Sequence, residues 1–310
     1  MVQTIAEMKN GRGLGKKDLN TGAVSSGKAG SRCSGRSRSC RSNEARSCNQ
    51  EAKMAALIGK TQIRVHLAAG TLVACEVERS RWHRTVVTRK ERFVFAPGER
   101  ADAMEELAKW MPQGSSHRSI VWIIGPAHAQ YFVLPWSPAL IDQGLRDAYA
   151  RASFEQFYER DASSAAFSFG PATLGGSQLV SWVPAELPVE LAEHARRTGC
   201  ELAGIKPAIV TVWERFRDVL ETESGTLCVV DGDRQTIVRH DRKRIENVVI
   251  KPCDRSQTGP ARREGVFRRF SNESLRKPAD TSPADLSLPP QNGFVAARDG
   301  AYAFALCGAL

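Results

Sequence analysis

The run Leu179-Val180-Ser181-Trp182-Val183-Pro184 opens the stretch that decides the fold of this chain. Its first five residues read as a buried strand, which Pro184 stops because proline brings no amide to a ladder. A helical segment follows to about Thr198, where Gly199 ends it. A short apolar segment, Leu202-Ala203-Gly204-Ile205, leads to Pro207, which opens a second helix reaching Leu220. Three strand-like runs, 226–231, 235–240 and 245–251, close the series as an antiparallel meander. Strand, helix, strand, helix and meander together predict a mixed α/β body.

Outward toward the N-terminus, Ile63-Arg64-Val65-His66-Leu67 alternates apolar and polar residues and predicts a half-buried strand. Ala68-Ala69-Gly70-Thr71 offers a turn, 72–77 a second strand and 82–95 a third. Residues 100–110 carry apolar side chains at helical spacing, and 119–124 is a continuous apolar run fit for a strand covered on both faces. Another strand, 131–134, precedes a long helix that should start at Ser137-Pro138 and run to Arg160. Strands at 165–169 and 179–183 flank the loop 170–176. Beyond Pro252, residues 253–290 are rich in Arg, Ser, Pro and Asp and read as a disordered linker, with a short C-terminal element at 291–310.

The charge is unevenly placed. Residues 1–53 hold 11 Lys/Arg against 4 Asp/Glu, while the remainder holds 33 against 30, so the formal net charge of +10 belongs mostly to one tail. That tail has too few apolar residues to offset the entropy of ordering and is expected to be disordered. Its Arg-Ser run could meet an anionic surface, but Met54 stands directly before the first apolar residues, and the tail is expected to be a leader ahead of a start at Met54. Nucleic acid is therefore not the expected partner. No C-x-x-C pair occurs among the 8 cysteines, which argues against a structural zinc site. Cys75, Cys200 and Cys228 lie inside apolar runs, as buried thiols of a reducing compartment would. The sequence holds no apolar run near 18 residues and no signal-peptide pattern, and a cytoplasmic location is expected.

Catalytic patterns are sparse. There is no G-x-S-x-G elbow and no phosphate loop preceded by a strand. The six histidines form no metal pattern and read as surface or strand residues. One phosphate-type signal stands out, Val229-Val230-Asp231-Gly232-Asp233-Arg234-Gln235-Thr236. An acidic residue at a strand end followed by Gly in a hairpin resembles the way actin-like ATPases hold a metal-bound phosphate, and that resemblance makes Asp231, Gly232 and Thr236 the candidate residues. Asp-Gly is also a common hairpin turn, so the structural explanation competes.

Residues 63–250 resemble the cytoplasmic actin-like proteins of pilus and secretion machines: the PilM family of type IV pilus assembly and the cytoplasmic domain of the GspL family of type II secretion. The resemblance rests on Phe132-Val133-Leu134-Pro135, the helix 138–160, the run 179–184 and the joint Gly199-Cys200-Glu201-Leu202-Ala203-Gly204-Ile205-Lys206-Pro207. It implies an actin-like (ribonuclease H-like) fold of two halves, at 54–183 and 184–252, with the second truncated. It also implies a scaffold that binds a peptide of an inner-membrane partner and contacts an assembly ATPase, with Tyr131 and Trp136 as the candidate partner-binding residues. ATP and magnesium are the ligands of active relatives. Here the first phosphate turn, Arg64-Val65-His66-Leu67-Ala68-Ala69-Gly70, lacks the acidic residue that would hold magnesium. The reading is a non-catalytic relative without cofactor. The alternatives are a divergent actin-like ATPase or kinase and an anionic-surface binder acting through the tail.

Overall fold

In the computed structural model the described residues are 61–79, 85–111, 118–171, 175–253, 265–272 and 284–310. The basic tail of residues 1–53 lies outside them. The first sheet grows around β1 (Thr61–Ala68), which pairs antiparallel with β2 (Thr71–Arg79) on one side and parallel with β4 (Arg118–Ile124) on the other. β3 (Thr85–Val94) extends the β2 edge and β8 (Glu201–Pro207) the β4 edge, giving the order β3-β2-β1-β4-β8. α1 (Arg100–Trp110) and α3 (Glu186–Arg197) pack beside this sheet. In α3, Leu187, Leu191, His194 and Ala195 are buried, the i, i+4, i+7, i+8 stripe of a core-facing helix.

An insertion between β4 and β8 builds a sheet of its own, ordered β5-β7-β6, from β5 (Gln130–Leu134), β6 (Ala165–Phe169) and β7 (Gln178–Pro184). α2 (Gln143–Tyr158) covers it. Phe154 meets Phe167 and Trp182 edge-on at 5.3 and 4.9 Å, a second core separate from the main one. The aromatic stripe predicted for this helix is thus partly core, although Phe157 stays largely exposed. The helix starts five residues later than Pro138. Residues 138–141 form a 3₁₀ turn, and Asp142, not Ser137, caps the helix by accepting from the Leu145 amide at 2.9 Å.

The second half opens with α4 (Ala208–Arg215) and α5 (Arg217–Leu220), where a single helix was expected; the break falls at Phe216. Its sheet contains the predicted meander β9 (Gly225–Asp231), β10 (Arg234–Asp241) and β11 (Arg244–Pro252), and then a fourth strand. β12 (Val266–Ser271) lies parallel to β9, giving β11-β10-β9-β12. Each half therefore consists of a meander plus a strand parallel to the meander's first strand. The fold is mixed α/β, built on this repeated unit.

Three sequence expectations are corrected. The boundary at Val183–Pro184 does not separate the halves, because β8 pairs with β4 and carries the first sheet across it; the joint falls at Pro207. Residues 253–290 are not all linker. β12 is buried enough through Phe270 to belong to the core, and Leu288 is buried as well. Finally, β1 is not half-buried: Arg64 and His66, its polar positions, are 4% and 0% exposed. The face they occupy is covered by residues 296–310, folded into α6 (Ala296–Asp299), a 3₁₀ turn and α7 (Ala303–Leu306). Cys75, Cys200 and Cys228 are buried, as read.

His194 of α3 links two helices by donating through Nε2 to the Met104 carbonyl of α1 at 3.1 Å, while its Nδ1 has no hydrogen-bond partner. Burial lowers its pKa below the usual 6.5, and does the same to His240. The unfolded chain then takes up protons first as the pH falls. The stabilisation present above about pH 6.5 is lost as pH drops through the folded-state values. Thermal unfolding between about pH 7.5 and about pH 5 should show a falling midpoint. His194→Gln, which keeps a donor for Met104, should flatten part of that slope; an identical slope in the variant would refute the assignment.

Candidate functional site

The two halves meet where β1 and β9 end. Asp231 closes β9, Gly232-Asp233 make a two-residue turn, and Arg234 opens β10 opposite Asp231. Gly232 has φ +63°, the left-handed region, so the hairpin takes a primed turn with glycine at its first central position. The Asp231 side chain points into the joint and is buried, at 4% exposure. Its Oδ1 accepts from Asn272 Nδ2 at 3.0 Å, and its Oδ2 lies 3.0 Å from His66 Nε2. The second contact is short but poorly aligned for a hydrogen bond, so it acts as a close electrostatic contact. Neither ring nitrogen of His66 has a well-directed partner.

Gly125, directly after β4, makes this meeting possible. Its amide donates to the Leu67 carbonyl at 2.9 Å, which brings the backbone hard against the pair. A Cβ there would overlap Asp231 Oδ2 and lie 3.0 Å from the Leu67 carbonyl oxygen and 3.2 Å from His66 Nε2. On its other side the His66 ring stacks on Phe304 of α7 at 4.8 Å. Beside the pair a cleft of about 300 Å³ opens, lined among others by His66, Thr71, Arg92, Gly232 and Asn272.

Of the residues proposed from sequence, Asp231 and Gly232 come to this joint. Thr236 sits deeper in the sheet opposite Val229 and Ile250, buried and away from the cleft lining. Tyr131 is not an exposed edge residue. It is 6% exposed, its hydroxyl lies against the Ile209 amide in the first turn of α4, and burial pushes its phenol above the ordinary range. Trp136 is 44% exposed on the loop after β5. His66, read as a surface or strand residue, is a strand residue of β1, and its buried ring lies against Asp231. Asn272 fell in the segment read as linker. The available signal for His66 was its place, two residues from Arg64, in a strand bounded by apolar residues.

Magnesium with a triphosphate is the group that the sequence resemblance implies, and the residues at this joint do not fit it. Where a first carboxylate should stand there is an imidazole in contact with Asp231, and the other Asp231 oxygen is taken by Asn272. Among the described residues no group of three or more His, Cys, Asp or Glu could hold a metal ion.

No protein-family model and no curated protein matches the chain. It is similar in structure to the cytoplasmic domain of EpsL, an inner-membrane component of the type II secretion system of Vibrio cholerae. That match has a TM-score of 0.48 and 10% identity over 75% of this chain and 87% of that one. A PilM–PilN type IV pilus biogenesis complex gives 0.47 and 14% over 62% of this chain and 61% of that one, short of two thirds of its length. A Bacteroides thetaiotaomicron protein of actin-like ATPase fold and unknown function gives 0.45 and 8% over 64% and 72%.

The crowding around Gly125 can be measured. Gly125→Ala must push apart Asp231, Leu67 and His66, and should cost about 1–3 kcal/mol in urea unfolding, the usual penalty of overpacking. Gly232→Ala meets open space and carries only the left-handed strain, about 1 kcal/mol. Equal costs, or a smaller cost at Gly125, would show that the joint is looser than described.

Proposed function

We propose that this chain is a non-catalytic cytoplasmic scaffold of a pilus or secretion-type envelope machine, and that it binds a short peptide of an inner-membrane partner. The observation that carries the reading is the His66–Asp231 contact. An actin-like ATPase needs acidic ligands and a gap between its two hairpins for a hydrated metal and phosphates. Here side chains from both halves touch at that place, Gly125 leaves no room on one side of them, and the cleft that remains beside them is lined by His66, Thr71, Arg92, Gly232 and Asn272. In this reading the arrangement holds the two halves together, with His66 where the first hairpin of an ATPase would bring a carboxylate.

The kind of machine comes from the sequence resemblance over residues 63–250. Among the described residues no helix is long and apolar enough to cross a membrane, so in this reading attachment to the inner membrane runs through the partner. An assembly ATPase is the second contact of such a scaffold. Trp136 supplies the aromatic anchor, with exposed Ile141 and Leu145 close behind it in sequence.

Two measurements test this. Calorimetry with Mg-ATP should give no saturable heat. A micromolar dissociation constant abolished by Asp231→Ala would overturn the scaffold and establish the divergent ATPase or kinase. Trp136→Ala should weaken capture of the cytoplasmic peptide of a single-span membrane protein encoded beside this chain, by about tenfold or more, with thermal unfolding nearly unchanged. If melting temperature and capture fall together, Trp136 is a packing residue and the groove lies elsewhere.

A further inference from the structure

Residues 291–310 touch both halves at once. On the first half, Lys90 Nζ meets Asp299 at 2.8 Å and donates to the Gly293 carbonyl at 2.9 Å. Arg64 donates through Nε to the Ala305 carbonyl at 2.6 Å and through Nη2 to the Cys307 carbonyl at 2.7 Å. On the second half, Phe304 meets Phe270 of β12 edge-on at 5.1 Å, and Cys307 Sγ donates to the Thr211 carbonyl of α4 at 3.5 Å.

Phe304 also stacks on His66, so the contacts close into a ring. Asp231 holds His66, His66 lies on Phe304, Phe304 meets Phe270, and Phe270 is paired in the sheet with Val229, two residues before Asp231. His66 belongs to the first half and the other sheet residues to the second. Phe304, supplied by neither sheet, is the piece between them, and it is fully buried.

The segment owes its place to those contacts. α6 and α7 have four residues each, far below the length at which a helix holds in water without tertiary support. Such elements stay folded only while they remain seated on the sheets they cover. We propose that residues 296–310 are a strap that locks the two halves together, with Phe304 as the wedge that presses His66 onto Asp231, so that lifting the strap opens the cleft between the two hairpins. The lock does not depend on which partner the chain binds. It does give a partner a means of control, since anything that binds the lifted strap would open the cleft and anything that binds across both halves would keep it shut.

Amide hydrogen exchange on the full chain tests this. Phe304→Leu keeps most of the apolar volume and removes the ring stacking. It should speed exchange about tenfold in peptides covering the Ala69-Gly70 and Gly232-Asp233 turns, while the insertion sheet β5-β7-β6 keeps its protection. Asp299→Asn weakens the Lys90 tether at the far end of the strap and should give the same pattern at about threefold. This second variant decides the matter if Phe304→Leu does not fold. Faster exchange by one common factor across both turns and the insertion sheet would mean a general loss of stability and would overturn the strap. Unchanged exchange at both turns in the folded variants would overturn it as well.

Discussion

The structure depends on how a buried guanidinium is satisfied. Arg64 sits in the central strand of the first sheet with no route to solvent, and burial lowers its pKa to about 10. Its hydrogen bonds all go to carbonyl oxygens: those of Ala305 and Cys307 and the Gln62 side-chain amide at 2.9 Å. Two of these acceptors lie at the C-terminal end of α7, where carbonyls lack helical partners and carry partial negative charge. The charge and the free carbonyls satisfy each other. Removing either leaves a buried polar group whose desolvation is uncompensated.

That one arrangement explains why the polar face of β1 is closed. With Arg64 tied to α7, Phe304 is set beneath His66, and His66 is held at the place where the second half delivers Asp231. Cys75 and Cys307, both near Arg64, have thiols that burial pushes up to about 12, so they stay neutral in this enclosure. The site at the joint is thus a product of packing on the first sheet as much as of the hairpin that contributes the carboxylate.

The sequence made the order of elements legible and left their partners hidden. The runs around 179–251 set out the order of strands and helices, apart from the helix break at Phe216, because proline and glycine punctuate them locally. The joint was misplaced because a proline that ends a strand looks the same whether or not a later strand rejoins the sheet. β12 was missed since Val266-Phe267-Arg268-Arg269-Phe270-Ser271 carries two arginines and no clean alternation, and pairing with β9 overrides that weak local signal. Asp231 and Gly232 were found because a turn needs glycine in a particular conformation. His66 was read as ordinary since alternation cannot reveal that the polar side of a strand has a cover. That cover lies more than two hundred residues away, beyond the reach of any local pattern.

The same distance governs how the chain acquires its shape during synthesis. Arg64 and its two backbone acceptors on the strap are separated by 241 and 243 residues. A ribosome adding about 5–20 residues per second delivers those acceptors roughly 10–50 s after β1 has emerged. Throughout that interval the central strand of the first sheet exposes a cation, an imidazole and an uncovered apolar floor. The nascent first half is then an incomplete body whose exposed strand face is the feature a chaperone would hold. Native closure of the first half therefore waits for residues 305 and 307.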